Sequence, residues 1–282
     1  DTMEDLPVVS DQPTKLYLQL HHIDIGINPG NQTPRGIATV ASILSYCGKP
    51  IAGWKNGTET MICGWQDVVS RAYPLPYTPQ RYIASCDVPD IELFPVKYNS
   101  PSVSFKAGLE LSFLTLSTFL LSKLVQVGLI SNLANYASPL AKLSELLKPF
   151  GSTCGAMHVE IEYSLQKVSS SSSSSAVSTT ADVLHDKNTR FKRCFYLCAD
   201  SGTGNIQLEN IQEQCIGPEI PCTPAVIIAQ QLIQQSKSSS IRRPYTNGAY
   251  PCVSLFTVTD VMESVRDMNI WSVEEGSRRV YK

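Results

Sequence analysis

Over residues 15–25 apolar and polar positions alternate with a period of two, placing Leu16, Leu18, Leu20, Ile23 and Ile25 on one side with a single slip. That pattern predicts a strand carrying a bulge. The loop GINPGNQT at 26–33 leads into Pro34. Thr33 followed by Pro34 pairs an N-cap residue with a first-turn proline, which predicts a helix to about Cys47, stopped at Gly48. Residues 51–93 are rich in β-branched and aromatic residues and prolines, with Asn56-Gly57 as a hairpin signal, and predict several short antiparallel strands.

From 107 to about 130 the period changes. Apolar residues at 113, 116, 120, 124 and 127 share one helical face, which predicts a buried amphipathic helix, and a second helix is expected at about 139–147. Residues 155–165 alternate again, with Met157, Val159, Ile161 and Tyr163 on an apolar face and His158, Glu160 and Glu162 on a solvent-type face. Strands at 191–199 and about 206–212 would complete a meander. Between the first two lie seven consecutive serines, 169–175; such a run buries nothing, so 166–188 reads as a disordered hairpin insertion. Thr223-Pro224 predicts another helix start, running to about 235, and the C-terminal region reads as a short strand at 253–258 and a helix at 259–268. No internal repeat is evident.

The expected fold is therefore α/β of the α+β type: a mixed, largely antiparallel sheet packed by several helices, forming one domain over 1–282. With 282 residues, 43% of them hydrophobic, the chain can bury a substantial core. A net charge of −2 with scattered Lys and Arg gives no footprint for nucleic acid. The greasy stretch 109–136 is interrupted by Glu110 and Lys123 and does not supply a membrane span. Nine cysteines without a compact framework read as reduced thiols, and a cytoplasmic location is expected. The chain opens at Asp1 and not at Met, which reads as a processed or truncated piece of something longer.

Candidate chemistry is sparse. The strand, loop and helix at 15–47 invite a test for a dinucleotide fingerprint, which fails: Asn28 and Asn31 stand where glycines are required, and Pro29 lacks an amide N–H. Gly202-Thr-Gly204 joins strands and opens no helix, so it fails too. The 26–36 loop still has two readings, a plain helix start or a carboxylate site formed by Asn31, Thr33 and Arg35. Cys194 and Cys198 share a strand face without completing a tetrahedral set, so no metal is expected. No nucleophile elbow is present, and no catalytic residue can be assigned.

Several segments in order, GNQTPRG at 30–36 with Ala38-Thr39, GWQ at 64–66, SCDVPD at 85–90, AGLE at 107–110, FGS at 150–152, GAM at 155–157, GPEIPCTPA at 217–225 and GAYPC at 248–252, resemble the saccharopine dehydrogenase-like oxidoreductases. The resemblance implies the substrate-side, C-terminal domain of an NAD(P)-dependent enzyme, with the N-terminal Rossmann domain absent from this chain. NAD(P) would then be bound by the missing domain, with no cofactor in this one, and the chain would be inactive alone. It also implies a homodimer and a small carboxylate substrate, amino-acid-like, met by Asn31, Thr33 and Arg35, with Arg81 and Lys106 as further contacts. The alternative is a non-catalytic binding or scaffold domain derived from that fold.

Overall fold

The computed structural model describes residues 16–75, 78–167, 190–200, 219–237, 255–265 and 270–274. The long central strand is β1 (Leu16–Asn28). After it come β2 (Pro50–Lys55), β3 (Thr58–Cys63), β4 (Val69–Ala72), β5 (Gln80–Ser85), β6 (Val103–Ala107), β7 (Gly155–Lys167), β8 (Phe191–Ala199) and β9 (Ile270–Glu274). Among the described residues the sheet order is β3-β2-β6-β1-β7-β8-β9, and the β4–β5 hairpin is attached where β5 meets the end of β6. Among the described pairs β1 and β6 are parallel and the others are antiparallel.

The helices are α1 (Ile37–Tyr46), α2 (Asp90–Tyr98), α3 (Ser112–Gln126), α4 (Ala137–Leu146), α5 (Glu219–Lys237) and α6 (Val258–Ser264). The mixed, mainly antiparallel sheet packed by helices is the α/β architecture expected from the periodicities. The bulge in β1 is also present, as a register shift between Leu20 and His22. Asn56 and Gly57 take φ of 54° and 77°, the left-handed pair that a two-residue hairpin between β2 and β3 requires.

Because β1 alternates, its odd residues Ile23 and Ile25 face one side with Val103, Phe105 and Ala107 of β6. Leu44, Ile91, Leu133, Ala137 and Trp65 close over them to form the main core. Full burial of each large apolar side chain contributes roughly 1.5–3 kcal/mol. On the other face of the sheet lie His22, Asp24, Gly26 and Asn28 of β1, Ser104 and Lys106 of β6, and His158 and Glu160 of β7.

Several boundaries differ from the expectations. Helix α1 begins at Ile37 with Gly36 as its N-cap, so Thr33-Pro34 belongs to the preceding loop, where Thr33 N–H donates to Gly30 C=O. Residues 90–93 open α2 and are not strand, and β6, a short central strand, went unforeseen. Thr223-Pro224 lies inside α5, which starts at Glu219. Leu255 to Thr257 form no strand; Thr257 instead caps α6 reciprocally with Asp260, accepting from its N–H at 3.2 Å while the carboxylate accepts from Thr257 N–H at 2.6 Å. The expected strand at 206–212 and almost all of the serine-rich insertion, from 168 on, fall outside the described residues. On the far edge of β8 it is β9 that pairs.

The largest reversal concerns α3. Thr115 and Ser122, both fully buried, face the protein, while Phe113, Leu116, Leu120 and Val127 are exposed. Phe119, Leu121 and Val125 pack on the core beside Thr115 and Ser122, and hydrogen bonds fix this face. The Trp65 indole donates to Thr115 C=O at 3.2 Å, Gln66 bonds the Ser122 hydroxyl, and Gly48 lies against the Ser122 backbone where a side chain would not fit.

Candidate functional site

The polar face of the sheet is partly roofed by the β4–β5 hairpin, and between them runs a seam of buried polar groups. Its position follows from alternation: even-numbered residues of β1 and β7 point toward the hairpin, which supplies Arg71, Tyr73 and Arg81.

At one end, near the C-termini of the parallel pair, lies Arg81, with no exposed side-chain surface. Its Nη1 donates to the Asn28 side-chain oxygen at 2.9 Å and to Asn28 C=O at 3.2 Å, and its Nη2 stands 3.2 Å from Glu110 Oε1. Glu110 Oε2 accepts from Asn31 N–H at 2.6 Å and Ser152 N–H at 2.8 Å, while Oε1 accepts from the Ser152 hydroxyl at 2.5 Å. Asn31 in turn donates through Nδ2 to Leu147 C=O at 2.7 Å, and Arg35 Nη1 donates to the Ser144 hydroxyl at 2.7 Å. Gly151 packs so closely on Asn31 and Glu110 that a methyl group there would collide with both.

At the other end, His158 is completely buried. One ring nitrogen lies 3.2 Å from Asp24 Oδ2 and the other 3.0 Å from the Tyr73 hydroxyl, giving a Tyr–His–Asp chain. Gly26 lacks a side chain where that imidazole lies. Arg71 joins the group, 2.7 Å from Glu160 Oε2, 3.7 Å from Asp24 Oδ2 and 2.9 Å from the Cys194 sulfur. Lys192 reaches the other Glu160 oxygen at 2.7 Å.

The charges follow this geometry. Burial works to raise the Asp24 carboxyl, but hydrogen bonds from His158 and Ser104 outweigh it and hold the group below its ordinary value. Glu160 is likewise held low, burial being overcome by Lys192 and Arg71. Burial pushes the Tyr73 phenol up, and pushes the Cys154 and Cys198 thiols beside Arg81 up to about 12. Burial lowers Arg35, opposed by Glu145 and Glu110, and lowers Lys106, opposed by Asp67 and Asp24.

The structure thus brings Asn31, Arg35 and Arg81 together, with Glu110 and Asn31 as the links between the two guanidinium groups. Thr33 is buried in the same loop. Lys106 stands apart on β6, its ammonium donating to Asp67 C=O at 2.9 Å. Three buried donors here meet no hydrogen-bond acceptor among the described residues, Asn28 Nδ2, Arg35 Nε and Arg81 Nη2, the last keeping only its ion-pair contact with Glu110. The Asn31 N–H of this loop is already taken up by the Glu110 carboxylate.

Sequence reasoning left Glu110, Asp24, His158, Tyr73 and Arg71 out of the site. His158 and Glu160 had been assigned to a solvent-type face; His158 is buried and Glu160 is ion-paired, because the hairpin covers that face. One signal for Glu110 was present, since Glu110 and Lys123 are the only charged residues between 107 and 141.

No family model matches the chain, and no curated protein matches it in sequence. Among solved structures it is similar to apo histidine-tagged saccharopine dehydrogenase (L-Glu forming) from Saccharomyces cerevisiae, with 10% identity and a TM-score of 0.45 over 91% of this chain and 67% of that one. Among the described residues no helix is long and apolar enough to cross a membrane.

Proposed function

We propose that this chain is the substrate-side part of an NAD(P)-dependent oxidoreductase of the saccharopine dehydrogenase-like kind. On this reading it holds an amino-acid-like or other small carboxylate substrate at the Arg35 end of the polar seam and associates with a second copy. The nicotinamide comes from a dinucleotide-binding domain outside this chain, and the free thiols at 47, 63, 86, 154, 194 and 198 fit a cytoplasmic setting.

The observation that carries the reading is the unmet donor at Arg35 Nε, beside those at Asn28 Nδ2 and Arg81 Nη2. A buried N–H without an acceptor costs about 1–3 kcal/mol, and a carboxylate oxygen is the ligand that removes the cost at a guanidinium. Arg35 is the contact of first rank. Asn31 and Arg81 are spent on Glu110 and so set the loop's shape, and Thr33 lies within it. Lys106 offers a second cation on the same sheet face as Asp24. The ordered sequence resemblance supplies the reaction class.

Calorimetric titration with L-glutamate, 2-oxoglutarate and NADPH tests this. A dicarboxylate is expected to bind, about tenfold or more weakly in Arg35→Ala, and NADPH is expected not to bind. Dicarboxylate binding that is undiminished in Arg35→Ala would remove the carboxylate assignment, and tight NADPH binding would remove the division of labour.

A second reading has its own observation: Arg81 and Glu110 neutralise each other at almost no exposure, as a purely architectural pair would. On that reading the chain is a non-catalytic binding or scaffold domain, and no carboxylate in the titration binds.

A further inference from the structure

Helix α3 is attached to the protein through buried Thr115 and Ser122 with Phe119, Leu121 and Val125 packed on the core beside them, and turns a second apolar stripe outward. At 3.6 residues per turn, Phe113, Leu116, Leu120, Leu124 and Val127 form one stripe opposite Thr115 and Ser122. Phe113, Leu116, Leu120 and Val127 are 50%, 41%, 61% and 67% exposed, and Leu129 beyond the helix end is 74% exposed. A helix held in place by buried hydrogen bonds at Thr115 and Ser122 cannot roll to hide that stripe without breaking them.

We infer that the α3 stripe is the contact surface between two copies of this chain, packed antiparallel about a two-fold axis at Leu120. The stripe reads the same in both directions. Relative to Leu120 its members stand at −7, −4, 0, +4 and +7, so reversal maps the stripe onto itself, as an isologous contact requires. Antiparallel pairing sets Phe113 level with Val127 of the second copy, a large residue with a small one. Leu116 comes level with Leu124, and Leu120 with its own equivalent.

Two further observations favour a second copy over other occupants. Lys123 is the only charged residue between 111 and 141, so a lipid surface would find almost no cations flanking the stripe. That lysine is drawn aside, its ammonium 3.2 Å from Gln126 Oε1 and 5.5 Å from the centre of the Phe119 ring. With Leu129 the stripe exposes roughly 600 Å² per copy, so two copies could bury up to about 1,200 Å², the lower edge of the range for specific interfaces. A charge-poor apolar stripe is also the composition of an interface core.

This inference deepens the association part of the proposed function and leaves its chemistry aside. A monomeric chain that still binds a dicarboxylate would overturn the stripe alone, and a dimer that binds none would overturn the substrate reading alone. Sedimentation equilibrium of the full chain is expected to show a dimer. Leu120→Glu, at an exposed position, should raise its dissociation constant by at least about 30-fold with unchanged circular dichroism. Leu116→Glu and Leu124→Lys should each be monomeric, yet form a dimer when mixed, because the antiparallel register brings the two charges into one layer. A wild-type monomer overturns the inference, whether or not it floats with phosphatidylserine-containing vesicles. So does a dimer that survives Leu120→Glu, or a mixture of the two charged variants that stays monomeric.

Discussion

Asp24 and Ile25 are neighbours in β1, yet they lie in two different kinds of interior. Ile25 sits in an apolar core, where stability comes from removing hydrocarbon from water and tolerates some repacking. Asp24 sits beneath the β4–β5 hairpin among His158, Ser104 and Arg71, where each donor needs its acceptor. The helix face is thus held by many small, non-directional contributions. The hairpin face is held by a few directional ones, and it fails abruptly when one member is removed.

The sharpest test of that difference is Glu110→Ala, which leaves Arg81 charged and buried. It is expected to cost about 3–5 kcal/mol in urea unfolding, and the double replacement of Arg81 and Glu110 by Met should recover most of the loss. On the apolar face Ile25→Ala should cost about 3 kcal/mol, with no such recovery from a second change. Equal costs together with no recovery in the double variant would erase the distinction between the faces. Tyr73→Phe takes the hydroxyl away from His158 and is expected to cost about 1–2 kcal/mol, read as a lowered Tm.

The smallest effect is the one that depends on pH. Because the Asp24 carboxyl is held below its ordinary value, its stabilisation is complete above the unfolded value of about 3.9 and is lost as pH falls through the folded value. The Tm gap between the wild type and Asp24→Asn should therefore narrow as pH is lowered from 6 to 3. A constant gap would show that Asp24 contributes through packing alone.

How much of this was legible in the sequence depends on whether a signal was local. The bulge in β1 could be read from one slip in alternation, and the Asn56-Gly57 turn from two residues that tolerate positive φ. The start of α1 could not: Thr33-Pro34 has cap chemistry, but the loop around it is held by Glu110, about eighty residues away, through Asn31. In α3 the periodicity found the helix and misjudged its inner face, because hydrogen bonds from the Trp65-Gln66 turn outweigh the stripe's preference for burial in one copy of the chain. Of the expected site residues, Asn31, Arg35 and Arg81 lie together and Lys106 lies elsewhere, and nothing in their spacing separates the two cases.

By itself the sequence determined the long strands β1, β7 and β8, the existence of helices α1, α3 and α4 and which strand positions are apolar, since a side chain's facing repeats with the local backbone period. Only the tertiary structure decided what covers each face. That choice turned His158 from a surface histidine into the centre of a buried chain, tied Asn31 and Arg81 to Glu110, and set the apolar side of α3 outward. The physical reason is that burial and hydrogen-bond satisfaction depend on partners brought from distant parts of the chain, which no local period records.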